Sequence, residues 1–440
     1  MLGRASKNSI KVLGRPELSA PDPQEQEVSS GFGRMFQSLQ NRDFLLLWLG
    51  MLGSFSAMSM QQVARGYLAY DLAGSATALG MVTVAWGIPQ LFLSPFGGVI
   101  ADRVSRRNLL IATQSFMATT TLINAILIST GHIQIWHLVI LGLFQGGTFA
   151  FNMPARQALI PSIVGRDHLA NAIAINNSGV NLTRIAGPAL AGVMIGIPSI
   201  GIAGTFYVMA ACYLITVFML FQLPARQGSE SNIGHGSMLQ EMVDGAHYVR
   251  SNTSLLLLLA SAFAVVLLGM PYQTLLPIFA LKVHGVGPQG LGLLTGAAGV
   301  GALIGSLGIA YFSASPRKVA IQIAAGICFG IALIMFAGAP TYILAVAMMF
   351  LVGGASNMYM ALNNTLIMMN TKPAMFGRVM SVYMMTFSIM PLAAYPMGIL
   401  SDVIGVQWVV GGAGGLAALS VVGLSIFARV KSLRQDMKVI

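Results

Sequence analysis

Charged side chains are scarce in this chain. Lys, Arg, Asp and Glu make up 8% of its 440 residues, whereas soluble domains carry about 25%, and this deficit excludes an ordinary soluble protein. Cysteine is scarcer still. Cys212 and Cys328 are the two cysteines, and both fall in apolar stretches where a free thiol behaves as a small apolar side chain. The sequence therefore predicts neither a disulfide framework nor a metal site.

The motifs of common catalytic classes are also missing. The sequence has no phosphate-binding loop, no His/Glu metal pair and no convincing nucleophile elbow. We therefore expect no enzyme, no catalytic residue, no cofactor and no direct ATP hydrolysis. The net charge of +11 is spread over short loops beside apolar segments, which favours attraction to anionic membrane lipid over a nucleic-acid partner.

Long apolar segments are what the chain does contain. Twelve of them are long enough to cross a bilayer. They lie near residues 44–70, 77–100, 108–129, 135–157, 170–195, 200–222, 254–281, 289–312, 319–338, 341–365, 377–400 and 404–428. The sequence predicts an all-α integral membrane protein with twelve transmembrane helices.

Basic residues indicate the orientation of these segments. If the N-terminus is cytoplasmic, every Lys and Arg except Arg65, Arg184 and Lys282 falls in a tail or an inner loop. Cytoplasmic loops of membrane proteins carry such an excess of Lys and Arg. We therefore predict a multi-pass protein of the cell (inner) membrane with both termini in the cytoplasm.

The chain divides into two related halves. Aligning the first half on the second places Gln62 on Gln273, Asn41 on Asn252, and Arg106-Arg107 on Arg317-Lys318, as expected of a duplication. The predicted parts are a cytoplasmic tail (1–43), a six-helix bundle (44–222), a cytoplasmic linker (223–253), a second six-helix bundle (254–428) and a C-terminal tail (429–440). Such repeats place a substrate site between them near mid-membrane and alternate its access by rocking.

A charged segment between the second and third spans is the most specific motif. It reads Gly97-Gly98-Val99-Ile100-Ala101-Asp102-Arg103-Val104-Ser105-Arg106-Arg107. The glycine pair permits close helix contact. We predict a gate in which Asp102 accepts charge-assisted hydrogen bonds from Arg156, or lies by the helix N-terminus at Gly377-Arg378. Arg103, Arg106 and Arg107 fit this gate and fit a role in orientation alone.

These features resemble the major facilitator superfamily, whose inner loop between helices 2 and 3 has a similar pattern. Other segments resemble its enterobactin-exporter and macrolide-efflux branch, of the transmembrane secretion effector type. They are Asn41-Arg42-Asp43-Phe44, Tyr70-Asp71-Leu72-Ala73-Gly74-Ser75, Asn152-Met153-Pro154-Ala155-Arg156-Gln157, Arg184-Ile185-Ala186-Gly187-Pro188-Ala189-Leu190-Ala191-Gly192 and Gly377-Arg378-Val379-Met380-Ser381. The resemblance implies two pseudo-symmetric bundles, alternating access, and an inner loop that locks the outward-facing state.

Proline and glycine mark the fifth predicted helix. Gly187, Pro188 and Gly192 resemble the exporter-associated motif of drug-efflux members, although Ala191 stands where that motif has a glycine. Proline can bend the helix and glycine permits close packing, so the motif fits an export role as well as ordinary packing. Similar bends are expected in the second half at Pro271, Pro277, Pro391 and Pro396.

Polar side chains on helix faces are the candidates for a substrate cavity, because unpaired polar groups are costly in lipid. The candidates are Gln61, Gln62, Arg65, Asn152, Asn177, Asn181, Arg184, Gln273, Asn357 and Asn364. Arg184 lies deep in its helix, so we expect it to be buried, whereas Arg65 fits a side chain reaching towards the outer surface. Each amide also fits hydrogen bonding between helices.

The acidic residues all fall in tails, loops or near helix ends. A deep arginine without a deep acid favours an anionic or hydrogen-bonding substrate. Together with the resemblance, this predicts a secondary transporter that exports amphiphilic, siderophore-like or macrolide-like small molecules. Proton antiport is the family's usual energy source, but no titrating residue stands out. An uptake carrier, exchange without protons, and a receptor or scaffold that moves nothing remain alternatives; a monomer suffices for each.

Overall fold

The computed structural model describes residues 37–165, 168–224, 238–312 and 317–436. Thirteen helices and two short 3-10 turns make up this part of the chain, in which no strand occurs. The helices are α1 (Arg42–Ala73), α2 (Ala76–Arg103), α3 (Arg106–Ser129), α4 (Ile135–Val164), α5 (Leu169–Gly196), α6 (Gly201–Phe221), α7 (Met238–Ser251), α8 (Thr253–Val283), α9 (Gly287–Phe312), α10 (Lys318–Ala337), α11 (Tyr342–Met369), α12 (Phe376–Ile404) and α13 (Val406–Asp436). Helices α1 to α6 form one bundle and α8 to α13 the other.

Eleven helices of the described chain are long and apolar enough to cross a membrane. The twelfth predicted span is α5, whose 28 residues give a length of about 42 Å. It is less apolar than the other eleven helices because Asn177, Asn181 and Arg184 occupy one of its faces. α5 packs between α1 of its own bundle and α9 of the other. Its polar face is thus held within the protein, and the twelve-helix architecture is confirmed.

Helix boundaries follow local capping chemistry, and the two halves use the same cap. The side chain of Asn41 accepts hydrogen bonds from the backbone N–H groups of Asp43 and Phe44 at the start of α1. Asn252 does the same for Ser254 and Leu255 at the start of α8. An N-cap amide satisfies N–H groups that the helix itself leaves unpaired. The sequence alignment of Asn41 with Asn252 therefore corresponds to one structural feature present twice.

α8 differs from its counterpart α1 by being irregular. Two π-helical segments, Val265–Gly269 and Phe279–Val283, flank a break at Met270-Pro271. Proline lacks the N–H that a helix interior needs, and π segments absorb the mismatch. The helix is thus interrupted at Pro271, whereas it continues through Pro277, and α12 continues as one helix through Pro391 and Pro396.

The connection between the bundles contains a helix that the sequence reading did not anticipate. α7 lies inside the predicted linker and packs against α12, where Gly245 meets the backbone of Arg378. At the other end of the chain, α13 runs to Asp436, so helix continues into the predicted C-terminal tail. Residues 1–36 of the predicted N-terminal tail lie outside the described residues.

Candidate substrate cavity and gates

A cavity of about 110 Å³ lies between the two bundles. Helices α1 and α5 supply one wall, and α8, α9 and α11 supply the other. It is lined by Gln62, Val63, Arg184, Pro188, Met270, Tyr272, Gln273, Leu276, Pro277, Leu291, Thr295, Ala298, Gly299, Ala302, Gly353 and Ser356. The cavity combines apolar walls with a few polar groups, which is the usual composition of a small-molecule site.

Two glutamines that the sequence repeat aligns face each other in this cavity. Gln62 Nε2 donates a hydrogen bond to Gln273 Oε1 at 3.5 Å, across the boundary between α1 and α8. Repeat-related positions meet near the pseudo-symmetry axis of such proteins. The structure thus brings this predicted pair together.

Arg184 supplies the positive charge of the cavity. It lies 15 residues after Leu169, about 22 Å along α5, and its side chain is exposed within the cavity. The expectation of a buried side chain was wrong, because the cavity leaves this face of α5 accessible. No acidic residue stands among the described lining residues. Asn177 and Asn181 are also exposed and continue the face of Arg184 towards the start of α5.

The remaining amide candidates make hydrogen bonds between helices. Gln61 donates to Gln145 Oε1 at 3.0 Å, Asn152 donates to Thr113 Oγ1 at 2.9 Å, and Asn357 donates to the carbonyl oxygen of Ala302 at 2.7 Å. These are packing contacts within one bundle. Asn364 is half-buried, and its Oδ1 atom has no hydrogen-bond partner among the described residues.

Arg65 is held inside the N-terminal bundle. Its guanidinium carbon lies 5.9 Å from the centre of the Trp86 ring, a cation–π distance. Trp86 is ten residues from the start of α2, about 15 Å along the helix. The prediction that Arg65 reaches the outer surface was therefore wrong, because its side chain packs on an aromatic ring instead.

Helix ends on the side of the α1–α2 turn at Gly74 bind the bundles together. We call this side outer, following the predicted topology. A Cβ atom on Gly192 would lie 2.7 Å from Gly292 of α9, and one on Gly398 would lie 2.5 Å from the carbonyl oxygen of Ala76. Backbones can approach so closely only where side chains are absent. These contacts close the cavity on its outer side.

The fifth-helix motif serves both packing surfaces of α5. Gly187 packs on the side chain of Ser59 in α1, Pro188 lines the cavity, and Gly192 packs against α9. Its three residues thus join α5 to its own bundle and to the other one.

Two arginines of the predicted inner gate, Arg106 and Arg107, donate hydrogen bonds to backbone carbonyl oxygens. Arg106 Nη1 donates to the carbonyl oxygen of Ala158 at 2.8 Å. Arg107 donates through Nε and Nη2 to the carbonyl oxygens of Leu220 and Phe221 at the end of α6. Cations near a helix C-terminus are favourable. Both arginines thus fasten helices of the N-terminal bundle at its inner end.

Arg156 and Arg378 make contacts that the sequence did not suggest. Arg156 is buried, donates to Ser54 Oγ at 3.1 Å and lies over the Phe55 ring. Arg378 pairs with Asp244 of α7 at 3.2 Å. Gly97 packs against the Ala150 backbone of α4. The side chains of Asp102 and Arg103, and the surroundings of Gly98, lie outside the described residues, so the predicted gate contact stays a prediction.

Asp402 makes a contact between the two bundles that the sequence did not predict. Pattern alone groups it with the other acids near helix ends, yet its carboxylate bonds to the first turn of α2. A signal is present in the sequence: Gly398-Ile399-Leu400-Ser401-Asp402 has the residue pattern and spacing of Gly98-Val99-Ile100-Ala101-Asp102.

Comparisons with known proteins agree with this architecture. Residues 34–439 match the family model described as transmembrane secretion effector. Macrolide efflux protein A of Streptococcus pyogenes is 23% identical over 359 residues, covering 81% of this chain and 87% of that protein. The staphyloferrin A transporter of Staphylococcus aureus is 26% identical over 337 residues, covering 76% and 83%. The enterobactin exporter of Citrobacter koseri is 26% identical over 338 residues, covering 75% and 76%.

Solved structures show the same fold at low sequence identity. A point mutant of a nucleoside transporter superposes with a TM-score of 0.74 at 13% identity, covering 87% of this chain and 99% of that one. A bacterial homologue of the iron transporter ferroportin in the inward-facing state gives 0.67 at 16% identity, covering 87% and 98%. The chain is a multi-pass membrane transporter that belongs to the transmembrane secretion effector family of the major facilitator superfamily.

Proposed function

We propose that this transporter exports amphiphilic small molecules that carry an anionic or hydrogen-bonding group, similar in chemistry to siderophores or macrolides. The observation that carries the proposal is Arg184, exposed beside Gln62 and Gln273 in an inter-bundle cavity whose described lining contains no acid. The names of the relatives support it, since they transport macrolides, staphyloferrin A and enterobactin.

The charge balance of the cavity selects the substrate. A positive charge at membrane depth is costly unless an anion or polar group compensates it. An anionic substrate lowers this cost on binding, whereas a cation meets repulsion and finds no carboxylate among the described lining residues. The two glutamines add donors and acceptors that orient a polar substrate, and the apolar walls accept its hydrophobic part.

Transport proceeds by rocking of the two bundles around the cavity. The present arrangement is closed on the outer side through α2 with α12 and α5 with α9. In the opposite arrangement Asp102, with Arg103, Arg106, Arg107, Arg156 and Arg378 around it, closes the inner side. Replacing Asp102 with alanine is expected to abolish export while the protein still reaches the membrane; unchanged export would remove this gate from the proposal.

Proton antiport is the proposed energy source, with substrate exchange independent of protons as the competing mechanism. We infer that the protein lies in the cell (inner) membrane with both termini cytoplasmic, and a monomer surrounded by lipid suffices for this cycle. Inside-out vesicles test the coupling, because an imposed pH gradient should drive substrate accumulation. Reporter fusions at the two termini test the orientation.

An efflux assay with an Arg184 series tests the substrate class. In a host lacking its own exporters, retention of siderophores, macrolides and cationic dyes is measured in cells expressing the parent, Arg184→Lys or Arg184→Ala. We expect Arg184→Ala to lose about tenfold or more of anion export, since one charge-assisted contact contributes about 1.5–3 kcal/mol. Arg184→Lys should retain part of it.

The matched control is Arg250→Ala, which removes one exposed arginine from α7 outside the cavity. It should leave export unchanged. Faster export of cationic dyes by Arg184→Ala would support charge selection further. Equal export of anions by the parent and Arg184→Ala would contradict the proposal. Accumulation inside the cells would indicate an uptake carrier, and binding without movement would indicate a receptor.

A further inference from the structure

The N-terminus of α2 is bound by a residue of the opposite bundle. Asp402, near the end of α12, accepts hydrogen bonds from the backbone N–H of Ala76 at 2.8 Å and of Thr77 at 2.9 Å. The Thr77 hydroxyl donates a third at 2.6 Å. Ser75, the N-cap residue of α2, accepts from Ala78. A carboxylate from the C-terminal bundle thus completes a helix cap in the N-terminal bundle.

This cap is favourable for two physical reasons. The first N–H groups of a helix have no partner inside the helix, and the helix dipole places partial positive charge there. Asp402 supplies both acceptor atoms and negative charge. Its hydrogen bonds are charge-assisted and correspondingly short. The loss of the carboxylate would leave the N–H groups of Ala76 and Thr77 to water.

The cap forms only when the outer ends of α2 and α12 are together. Gly398 lies one helical turn before Asp402 and packs on the Ala76 backbone, and Gly80 packs on the backbone of Ala394 and Tyr395. Opening the cavity to the outside requires these ends to separate, since they belong to different bundles. Separation breaks all three hydrogen bonds of Asp402 together.

The start of α12, at the inner end of the same helix pair, has no comparable side-chain cap among the described residues. α12 begins at the inner side, and its N-cap residue Met375 makes no side-chain cap hydrogen bond. A Cβ atom built on Gly377 would meet no described atom within 4 Å. In this arrangement the N-terminus of α2 is capped by a side chain of the opposite bundle, whereas the start of α12 is contacted by α7 through Gly245 and Asp244.

We propose that Asp402 is the outer latch of the transport cycle: by capping α2 it sets the balance between the arrangement closed to the outside and the one open to it. Asp402 is a positioning residue that touches no substrate. The inference rests on the fold and on this contact, and it stands or falls independently of the substrate class proposed above.

Distance measurements between spin labels test the latch without any substrate. In a parent with Cys212→Ala and Cys328→Ala, one label pair at His132 and Gln407 reports the outer ends, and a second pair at Asn108 and Ala320 reports the inner ends. All four positions are exposed. Asp402→Asn should shift the outer-open population upwards by about fivefold to tenfold, as expected for losing a charged helix cap.

Three further variants sharpen the test. Thr77→Val removes only the hydroxyl contact and should give a smaller shift in the same direction. Gly398→Ala pushes the Ala76 backbone away without touching the carboxylate and should also favour the outer-open population. Asp71→Asn, the matched control, removes an exposed acid at the outer end of α1 and should leave both distance distributions unchanged.

The two label pairs distinguish a latch from general damage. A latch predicts that the outer distance lengthens while the inner distance shortens, with the thermal unfolding temperature unchanged within a few degrees. Distributions for Asp402→Asn that match those of the parent would overturn the proposal. So would broadening at both ends together with a large fall in the unfolding temperature, which would mean that Asp402 only stabilises the fold.

Discussion

In the N-terminal bundle a chain of buried amide hydrogen bonds links three helices, whereas the buried amide pair of Gln322 and Asn363 in the C-terminal bundle links two. In the N-terminal bundle Gln61 donates to Gln145 at 3.0 Å, and Gln145 donates in turn to Thr120 at 3.1 Å. In the C-terminal bundle Gln322 donates to Asn363 at 2.6 Å, and separate hydrogen bonds join Ser261 with Tyr359 and Asn357 with Ser306. One repeat architecture thus supports two different interiors.

The inner ends of the bundles differ in packing as well. Phe44, Leu47, Leu110, Leu159 and Leu220 form a buried cluster at the inner end of the N-terminal bundle. The corresponding end of the C-terminal bundle has a smaller buried cluster, formed by Val249, Leu255, Leu259, Ala262, Ile367, Val379 and Tyr383. Beside this cluster lies an open cavity of about 360 Å³. It is lined by Thr253, Ser254, Leu257, Leu258, Ser261, Val319, Gln322, Ile323, Leu366, Asn370, Val421, Leu424, Ser425 and Ala428.

These differences indicate a division of labour. A well-packed, hydrogen-bonded bundle resists deformation, whereas a bundle with a hollow end and a π-interrupted helix such as α8 can adjust. We therefore expect the N-terminal bundle to hold Arg184 in a fixed position, and the C-terminal bundle to change shape at the π segments of α8. The following substitutions test these differences between the two bundles.

The largest effect is expected where the two bundles touch. Gly192→Leu places a side chain where even a Cβ atom would lie 2.7 Å from Gly292, so the outer ends of α5 and α9 cannot meet. We expect transport to fall at least tenfold in the efflux assay, because closure on the outer side is blocked.

Gly423→Leu is the matched control, since no described atom lies within 4 Å of a Cβ built on this glycine of α13. It should transport like the parent. Normal transport by Gly192→Leu would mean that close contact of α5 with α9 is not required in the cycle.

Removing one buried amide from each bundle should have an intermediate effect. Gln145→Leu removes the partner of both Gln61 and Thr120, whereas Asn363→Leu removes the partner of Gln322 alone. We expect a loss of about 1–3 kcal/mol for the first and about 1 kcal/mol for the second. Thermal unfolding in detergent measures the order of the two. Equal unfolding temperatures for Gln145→Leu and Asn363→Leu would show that linking the hydrogen bonds of the N-terminal bundle adds no stability beyond that of each bond.

The smallest effect concerns the inner ends. Ser425 lines the hollow of the C-terminal bundle and bonds to Val421 of its own helix, so Ser425→Leu fills space and should change stability by 0 to about +1 kcal/mol. A Cβ atom on Gly97, near the inner end of α2, would clash with the carbonyl oxygen of Ala150 in α4, so Gly97→Ala should cost about 1 kcal/mol. Unfolding temperatures that move in the same direction would contradict the contrast in packing.

The sequence predicted the helices better than it predicted the roles of polar residues. The duplicated pairs Asn41 with Asn252 and Gln62 with Gln273 occupy equivalent positions in the structure, because a repeat in sequence is a repeat in local geometry. Arg184 was correctly placed deep in α5, although its exposure was not foreseen. Gln61 and Gln62 could not be separated by sequence, since adjacent residues differ by about 100° around a helix and only packing decides which one faces the cavity.

The sequence could not predict the contacts of Arg378 and Asp402 for a related reason. Arg378 pairs with Asp244 of a helix inside the predicted linker, and Asp402 binds a helix more than 300 positions earlier in the chain. A hydropathy pattern cannot predict such pairs, because each residue taken alone is indistinguishable from a charged residue in a solvent-exposed loop. The spacing shared by Gly98-Asp102 and Gly398-Asp402 was visible, but its meaning depended on knowing which helix lies opposite.

The sequence by itself determined the number of spans, the duplication and the bias of basic residues, because hydropathy and charge act on each segment locally whatever its neighbours are. Only the tertiary structure decided that Gln62 and Arg184 share a cavity, that Gln61 and Arg156 pack inside one bundle, and that Asp402 caps α2. These outcomes depend on how helices rotate and cross, and a rotation of one residue exchanges a side chain that lines the cavity for one that packs in the core.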